Sequence, residues 1–231
     1  MDFTVITDNF TYFMIGRYPH GALGGVALTL YLALVSCVFA LMGGVILGVA
    51  SYLPFRPLRW LVRGYTHVMR GVPLLMVIFW MYFLLPLAFK QPVPENWTVI
   101  AALTLFTSAY MAHIVRAGIE SVPTGQREAA LATGLQPWQV MAYVVLPQAL
   151  RNMIPSFVNE LVSVTKDTSL AFIVGVSELT HIATQVNNRE LTHPAEIFLF
   201  VAAVYFVICF SLTQLSRWLE RRLSWGEGVR N

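Results

Sequence analysis

A polar stripe within an apolar stretch is the first feature of the sequence that could perform chemistry. At about 100° per residue of an α-helix, five of its side chains fall within an arc of about 120°. They are Asn159, Glu160, Ser163, Lys166 and Asp167. Charged groups at membrane depth are costly and normally face a bundle interior or an aqueous path. A stripe that holds both signs of charge suits a zwitterion, whose ammonium needs a carboxylate and whose carboxylate needs a donor.

Two interpretations of this stripe stay open. Lys166 could neutralise one carboxylate within an internal ion-pair cluster that packs the helix against a neighbour. In the second interpretation, the five polar residues contact a substrate, and Glu160 and Asp167 are the main contacts. His113, in another apolar stretch, is a sixth candidate contact, and its alternative is a neutral imidazole that is hydrogen-bonded within the bundle.

The composition indicates that membrane helices position these side chains. Of 231 residues, 57% are apolar and 12% are charged, against roughly half and a quarter in an average soluble domain. This excludes a soluble globule, and a net charge of +3 gives no reason to expect a nucleic-acid partner. Cys37 and Cys209 both lie in apolar runs, so we expect buried thiols rather than a disulfide or a metal site.

Five apolar intervals are long enough to cross a hydrocarbon core of about 30 Å, which takes about 20 residues. They lie between residues 17 and 56, 70 and 90, 95 and 116, 153 and 176, and 196 and 217. The fourth interval contains the polar stripe. The sequence therefore predicts an all-α polytopic membrane protein with five transmembrane helices in a single domain that covers residues 1–231.

The distribution of basic residues predicts the orientation, because Lys and Arg accumulate on the cytoplasmic side. One side would hold only Arg17, Lys90 and Arg189. The other would hold Arg56, Arg59, Arg63, Arg70, Arg116, Arg127, Arg151, Arg217, Arg221, Arg222 and Arg230. We therefore predict an external N-terminus and a cytoplasmic C-terminus.

The cytoplasmic segment 121–147 is too apolar for a simple connector and too short for a domain. Two short helices with a sharp break fit it: Thr124 can cap the first, and Gly134 can end it in the left-handed conformation. Pro137 suits the first turn of the second helix, and Pro147 marks a turn or the start of the next span. An amphipathic helix on the membrane surface is the alternative.

Two further expectations concern packing and the outer side. The pairs Gly21/Gly25 and Gly44/Gly48 are each four residues apart, a spacing that lets helix backbones approach closely. The outer segment 177–196 carries several charged and polar residues. It is predicted to be a docking surface for another protein or a solvated loop.

The motifs of segment 121–147 resemble the EAA loop of ABC importer permeases. The triplet 128–130 reads Glu-Ala-Ala, Gly134 follows Glu128 by six residues, and Pro147 follows Gly134 by thirteen. Other segments resemble the polar amino acid branch of that family: residues 70–74, 109–110, 116–119, 125–126 and 166–170. His113 departs from the family pattern, which usually has an acidic residue there.

The resemblance implies that segment 121–147 couples the chain to a separate ATP-binding subunit. The expected contacts are Glu128, Ala129, Ala130 and Gly134. The chain lacks a Gly-rich phosphate loop, so ATP and Mg²⁺ are expected on the partner subunits, and neither a cofactor nor a metal on this chain. Motifs for an intramembrane enzyme are also missing, so we predict a transport subunit rather than an enzyme.

The predicted function is thus ATP-driven, binding-protein-dependent import of polar amino acids across the bacterial cytoplasmic (inner) membrane. Expected partners are a homologous permease subunit, with a heterodimer favoured over a homodimer, two ATP-binding subunits, an extracytoplasmic amino acid binding protein and membrane lipid. Lys166 and His113 add positive potential near the path, which favours acidic or amide amino acids slightly. An ion-gradient-driven secondary transporter is the alternative.

Overall fold

The computed structural model describes residues 3–53 and 55–223, and Arg230 of the charge count lies outside them. Within these ranges the secondary structure is helical, apart from two isolated β-bridges. The helices are α1 (Thr4–Asp8), α2 (Phe10–Ile15), α3 (Gly25–Ala50), α4 (Arg56–Gly71), α5 (Leu74–Phe89), α6 (Glu95–Glu120), α7 (Thr124–Ala132), α8 (Pro137–Gln139), α9 (Leu146–Asp167), α10 (Leu179–Glu190) and α11 (Pro194–Leu223). A π-helical segment, Val140–Val145, joins α8 to α9, and a 3₁₀ segment, Thr168–Val174, continues α9.

Three helices of the described chain, α3, α6 and α11, are long and apolar enough to cross a membrane. Helices α4 and α5 meet at 109° and add a fourth span if they count as one bent span. The bend follows from Val72 and Pro73, which adopt extended backbone conformations between the two helices. Helix α9 and the 3₁₀ segment occupy the fourth predicted interval but are not among these candidate spans. Five spans and the orientation of the termini stay predictions.

The two central helices, α3 and α6, pack through small residues. A Cβ atom on Gly44 would lie 2.2 Å from Cβ of Met111, and one on Gly48 would lie 2.5 Å from Val115. The second glycine pair therefore supports packing within the chain, as its spacing predicts. Gly21 lies outside α3, so the prediction of a helix-packing pair with Gly25 is wrong.

The segment after α6 differs in part from its predicted two short helices. Helix α7 begins at Thr124 with no side-chain cap, so the predicted Thr124 cap is wrong. Gly134 has φ of +87°, which confirms the left-handed position expected of it. Pro137 begins the next helix as predicted. That helix does not stop before the fourth interval, because the chain stays helical from Pro137 to Val174.

The outer segment 177–196 is mostly a packed helix and not a loop. Helix α10 buries Leu179, Ile182, Ala183 and Val186 in a cluster with Phe13 of α2 and with α1 and α11. These positions follow the i, i+3, i+4, i+7 pattern of a helix with one apolar face. The segment therefore helps to fix the N-terminal helices against α11.

Candidate substrate stripe and coupling helix

The polar stripe lies on one regular helix, as its spacing predicts. All five of its side chains belong to the second half of α9. Glu160, Ser163 and Asp167 are half-buried, whereas Asn159 and Lys166 are exposed. Helix α9 packs against α3, α6 and α11, so the stripe lies at the margin of the bundle.

The carboxylates of the stripe form no salt bridge within the described chain, although Lys166 is close enough to Asp167 for an electrostatic interaction. The one salt bridge found there joins Arg116 Nε to Glu120 Oε1 of α6 at 2.9 Å. Lys166 therefore forms no salt bridge with Glu160 or Asp167. The described part of the chain also provides no hydrogen bond to either carboxylate. This geometry does not match the internal ion-pair cluster that was one interpretation of the stripe.

Two thiols of neighbouring helices approach the stripe. Cys37 of α3 lies close enough to Glu160 for an electrostatic interaction, as does Cys209 of α11 to Lys166. Both cysteines are free and half-buried, whereas the sequence predicts buried thiols. The described residues contain no group of three His, Cys, Asp or Glu side chains that could hold a metal ion.

His113 does not join the stripe. It is exposed and lines a cavity of about 460 Å³ between α3, α4 and α6, together with Arg63, His67, Arg70 and Arg116. No hydrogen bond or ion pair within the described chain connects His113 to α9. The six predicted substrate positions are therefore divided between two sites, five on α9 and one in this cavity.

The four predicted coupling positions divide into three exposed residues and one buried residue. Glu128, Ala129 and Gly134 are exposed around α7, and nothing lies within 4 Å of a Cβ placed on Gly134. Ala130 is 8% exposed and packs in a cluster with Ile119 and Val145, among others. One side of α7 is thus attached to the bundle and the other is free.

The sequence analysis missed a buried carboxylate at the start of α10. Glu178 is fully buried and accepts hydrogen bonds from the backbone N–H groups of Thr180 and His181, both at 2.8 Å. The hydroxyl of Tyr205 on α11 donates a third bond at 3.0 Å. Burial raises the pKa of Glu178 to about 7 against the opposite effect of these donors.

The hydrogen bonds of Glu178 and of the next residue connect three helices. Glu178 caps α10, it binds Tyr205 of α11, and the next backbone N–H, that of Leu179, donates to the hydroxyl of Thr29 on α3 at 3.1 Å. The signal in the sequence that could have located it is the apolar spacing of α10, which places Glu178 immediately before a helix. We therefore assign Glu178 a structural role at the N-terminal end of α10.

A comparison with known families identifies the architecture. Residues 40–225 match the family described as binding-protein-dependent transport system inner membrane component. The chain belongs to this family. The permease is 35% identical over 208 residues to the glutamate/aspartate import permease protein GltK of Escherichia coli O6:H1, with 87% of this chain and 92% of that one covered.

Two further comparisons agree with this assignment. The permease is 37% identical over 215 residues to the probable glutamine ABC transporter permease protein GlnP of Bacillus subtilis, covering 90% of this chain and 98% of that one. It also resembles the crystal structure of an amino acid ABC transporter with histidines, with a TM-score of 0.85, 28% identity, and coverage of 96% and 99%.

These findings confirm the resemblance to the polar amino acid branch of ABC importer permeases. They also confirm that the chain is a membrane transport subunit and not an enzyme. An ABC permease needs no ion gradient, so the family assignment is evidence against the secondary-transporter alternative.

Proposed function

We propose that this permease forms half of the translocation path of an ATP-driven importer of polar amino acids. The observation that carries the proposal is the half-buried stripe on α9, whose carboxylates form no salt bridge within the described chain. A carboxylate at membrane depth is normally paired or faces an aqueous path. An ammonium group of the substrate supplies the missing charge.

The substrate contacts in this proposal are Asn159, Glu160, Ser163, Lys166 and Asp167. Glu160 and Asp167 are two helical turns apart on the same face, and a substrate ammonium binds between or beside them. Lys166 extends from the same helix toward the carboxylate of the substrate. His113 lies apart from the stripe, in the cavity between α3, α4 and α6, and is not one of these contacts.

Coupling to ATP hydrolysis is assigned to α7 within the loop 121–147. Glu128, Ala129 and Gly134 are exposed and contact a separate ATP-binding subunit. Ala130 acts from the opposite side of α7, where it attaches the helix to α6 and α9. Movement of α7 is thereby transmitted to the helix that carries the stripe.

The complete transporter in this proposal lies in the bacterial cytoplasmic membrane as a multi-pass assembly. A second, homologous permease subunit completes the path, and a heterodimer is favoured because the departure at His113 suits a pair with divided roles. Two ATP-binding subunits hold ATP and Mg²⁺, and an extracytoplasmic binding protein delivers the amino acid. The 1–231 chain forms one transmembrane domain.

We propose acidic or amide amino acids as the preferred substrates. Lys166 adds positive charge to the stripe. Two relatives carry glutamate/aspartate and glutamine in their names, which supports the same choice.

The test is ATP-dependent uptake of labelled amino acids by proteoliposomes that contain the full assembly. Uptake of glutamate, aspartate and glutamine is compared with that of arginine and leucine. We expect Glu128→Arg to lose ATP-coupled uptake and Glu160→Gln to change the substrate preference. The matched control is Glu190→Gln, since Glu190 is exposed at the end of α10.

Wild-type uptake in both variants would show that the coupling and substrate roles are wrongly assigned. Uptake that persists without ATP but requires an ion gradient would restore the secondary-transporter alternative.

A further inference from the structure

A strongly basic cavity lies between α3, α4 and α6, outside the stripe. It has a volume of about 460 Å³, and its polar lining includes Ser51, Arg63, His67, Arg70, His113 and Arg116. No Asp or Glu is among its lining residues. We call this cavity the α4 cleft.

The positive charge of the α4 cleft is only partly compensated. Arg116 pairs with Glu120 at 2.9 Å, and the guanidinium of Arg70 lies 5.5 Å from the ring centroid of Tyr110. Arg63 has no carboxylate within salt-bridge distance among the described residues. The cleft therefore has the electrostatic properties of an anion site.

The surface beside the cleft is amphipathic. Trp60 and Leu61 of α4 are 77% and 71% exposed. A second cavity of about 170 Å³ is lined by Arg56, Arg59, Trp60 and Arg63. Arg63 therefore lines both this cavity and the α4 cleft. Helix α4 thus combines a row of arginines with large apolar side chains that this chain leaves uncovered.

The direction of α4 suits contact with the membrane surface. It meets α5 at 109°, so α4 is inclined toward the membrane plane when α5 runs along the predicted span between residues 70 and 90. Basic amphipathic helices with Trp and Leu bind at the boundary between headgroups and acyl chains. The basic residues of α4 also belong to the set predicted on the cytoplasmic side.

We propose that the α4 cleft binds the phosphate of an anionic phospholipid headgroup. Arginine is suited to phosphate because its planar guanidinium can donate two parallel hydrogen bonds. Basic pockets between transmembrane helices are known to hold anionic headgroups. Arg63 and His67 contact the phosphate, and Trp60 and Leu61 contact the glycerol and acyl regions.

A transported amino acid fits the α4 cleft less well. Its ammonium group would need an acceptor with negative charge, and no carboxylate lines the cleft. A phospholipid such as phosphatidylglycerol carries a phosphate and no ammonium. The exposed apolar side chains next to the arginines also match a lipid and not a small polar solute.

The experiment uses the full transporter in vesicles of phosphatidylcholine, to which phosphatidylglycerol with brominated acyl chains is added. Bromine quenches tryptophan fluorescence at contact, and Trp60 lies beside the cleft. We expect phosphatidylglycerol to quench more than brominated phosphatidylcholine does. Trp60→Phe should remove the excess quenching.

Two charge variants test the phosphate contact. Arg63→Gln should weaken the relative affinity for phosphatidylglycerol about fivefold, the effect of one basic residue near an anionic surface. Arg63→Lys should keep most of the affinity. The matched control is Arg151→Gln, because Arg151 is exposed on α9 and distant in sequence from α4. Unchanged thermal unfolding in pure phosphatidylcholine shows that each variant is folded.

Three results would overturn the proposal. In the first, phosphatidylglycerol quenches no more than phosphatidylcholine, or Arg63→Gln binds like the wild type. In the second, soluble glycerol phosphate at millimolar concentration abolishes the excess quenching, which assigns the cleft to a free phosphate. In the third, glutamate abolishes it, which assigns the cleft to the cargo.

Discussion

Glu178 and the stripe carboxylates Glu160 and Asp167 belong to one apolar protein but have opposite surroundings. Glu178 is fully buried, and three donors at 2.8–3.0 Å satisfy it. Glu160 and Asp167 are half-buried and lack both an ion pair and a hydrogen bond within the described chain.

This difference separates a structural carboxylate from one that is available to a ligand. Desolvation of a carboxylate is costly unless donors replace the lost water. At Glu178 the chain supplies these donors, so removal of the side chain should damage the fold. At Glu160 and Asp167 water or substrate must supply them, so removal should change transport and leave the fold intact.

The largest effect is expected for Glu178→Ala. The variant loses the cap of α10 and the carboxylate that accepts from the half-buried hydroxyl of Tyr205, which together cost about 3 kcal/mol of stability. The measurement is the thermal unfolding midpoint of the purified permease in detergent, with Glu190→Ala as the exposed control. If Glu178→Ala and the control unfold at the same temperature, the structural role of Glu178 is wrong.

The next effect is expected for Asp167→Asn, which should lower kcat/KM for uptake about tenfold. The variant keeps the shape of the side chain but removes the charge that binds the substrate ammonium, a charge-assisted bond worth about 1.5 kcal/mol. Its unfolding midpoint should equal that of the wild type. Asp8→Asn, at an exposed position of α1, is the control. A lowered unfolding midpoint with normal uptake would mean that Asp167, like Glu178, has a structural role and does not bind the substrate.

A smaller effect is expected for Tyr205→Phe. Glu178 then keeps two of its three donors, so the loss is that of a single hydrogen bond, about 1 kcal/mol. The unfolding midpoint should lie between those of the wild type and Glu178→Ala. A value as low as that of Glu178→Ala would mean that Tyr205, and not the cap, carries most of the stabilisation.

A separate effect is a dependence of stability on pH. The pKa of Glu178 is raised by burial from 4.5 to about 7 in the folded protein, so the folded state binds this proton more tightly than the unfolded state. Stability from this group is complete below about pH 4.5 and is lost as the pH rises through 7. Unfolding midpoints of Glu178→Gln should lack this component. Parallel pH profiles of the two proteins would contradict the assignment.

Local rules predicted the parts of the fold that depend on few neighbours. Gly134 ends α7 in the left-handed conformation and Pro137 begins the next helix, because backbone sterics alone favour these residues there. The helix that carries the stripe also follows from its spacing. The motifs of segment 121–147 were sufficient for the family, which the comparisons confirmed.

Other features depended on contacts between distant segments. Gly21 falls outside α3, and Thr124 makes no cap, since a spacing or a residue type does not determine where a helix begins. The outer segment was predicted to be a docking surface or a solvated loop because its charged residues are conspicuous. Its apolar face packs against α2 and α11, and this contact is seen only in the tertiary structure.

The sequence alone determined that this chain is a helical membrane protein, where its polar stripe lies and to which family it belongs, because these follow from composition, periodicity and spaced motifs. Only the tertiary structure decided which carboxylates are satisfied. It separated Glu178 from the stripe and placed His113 in the α4 cleft. The physical reason is that hydrogen bonds and ion pairs depend on distances of a few ångströms between helices that are far apart in the chain.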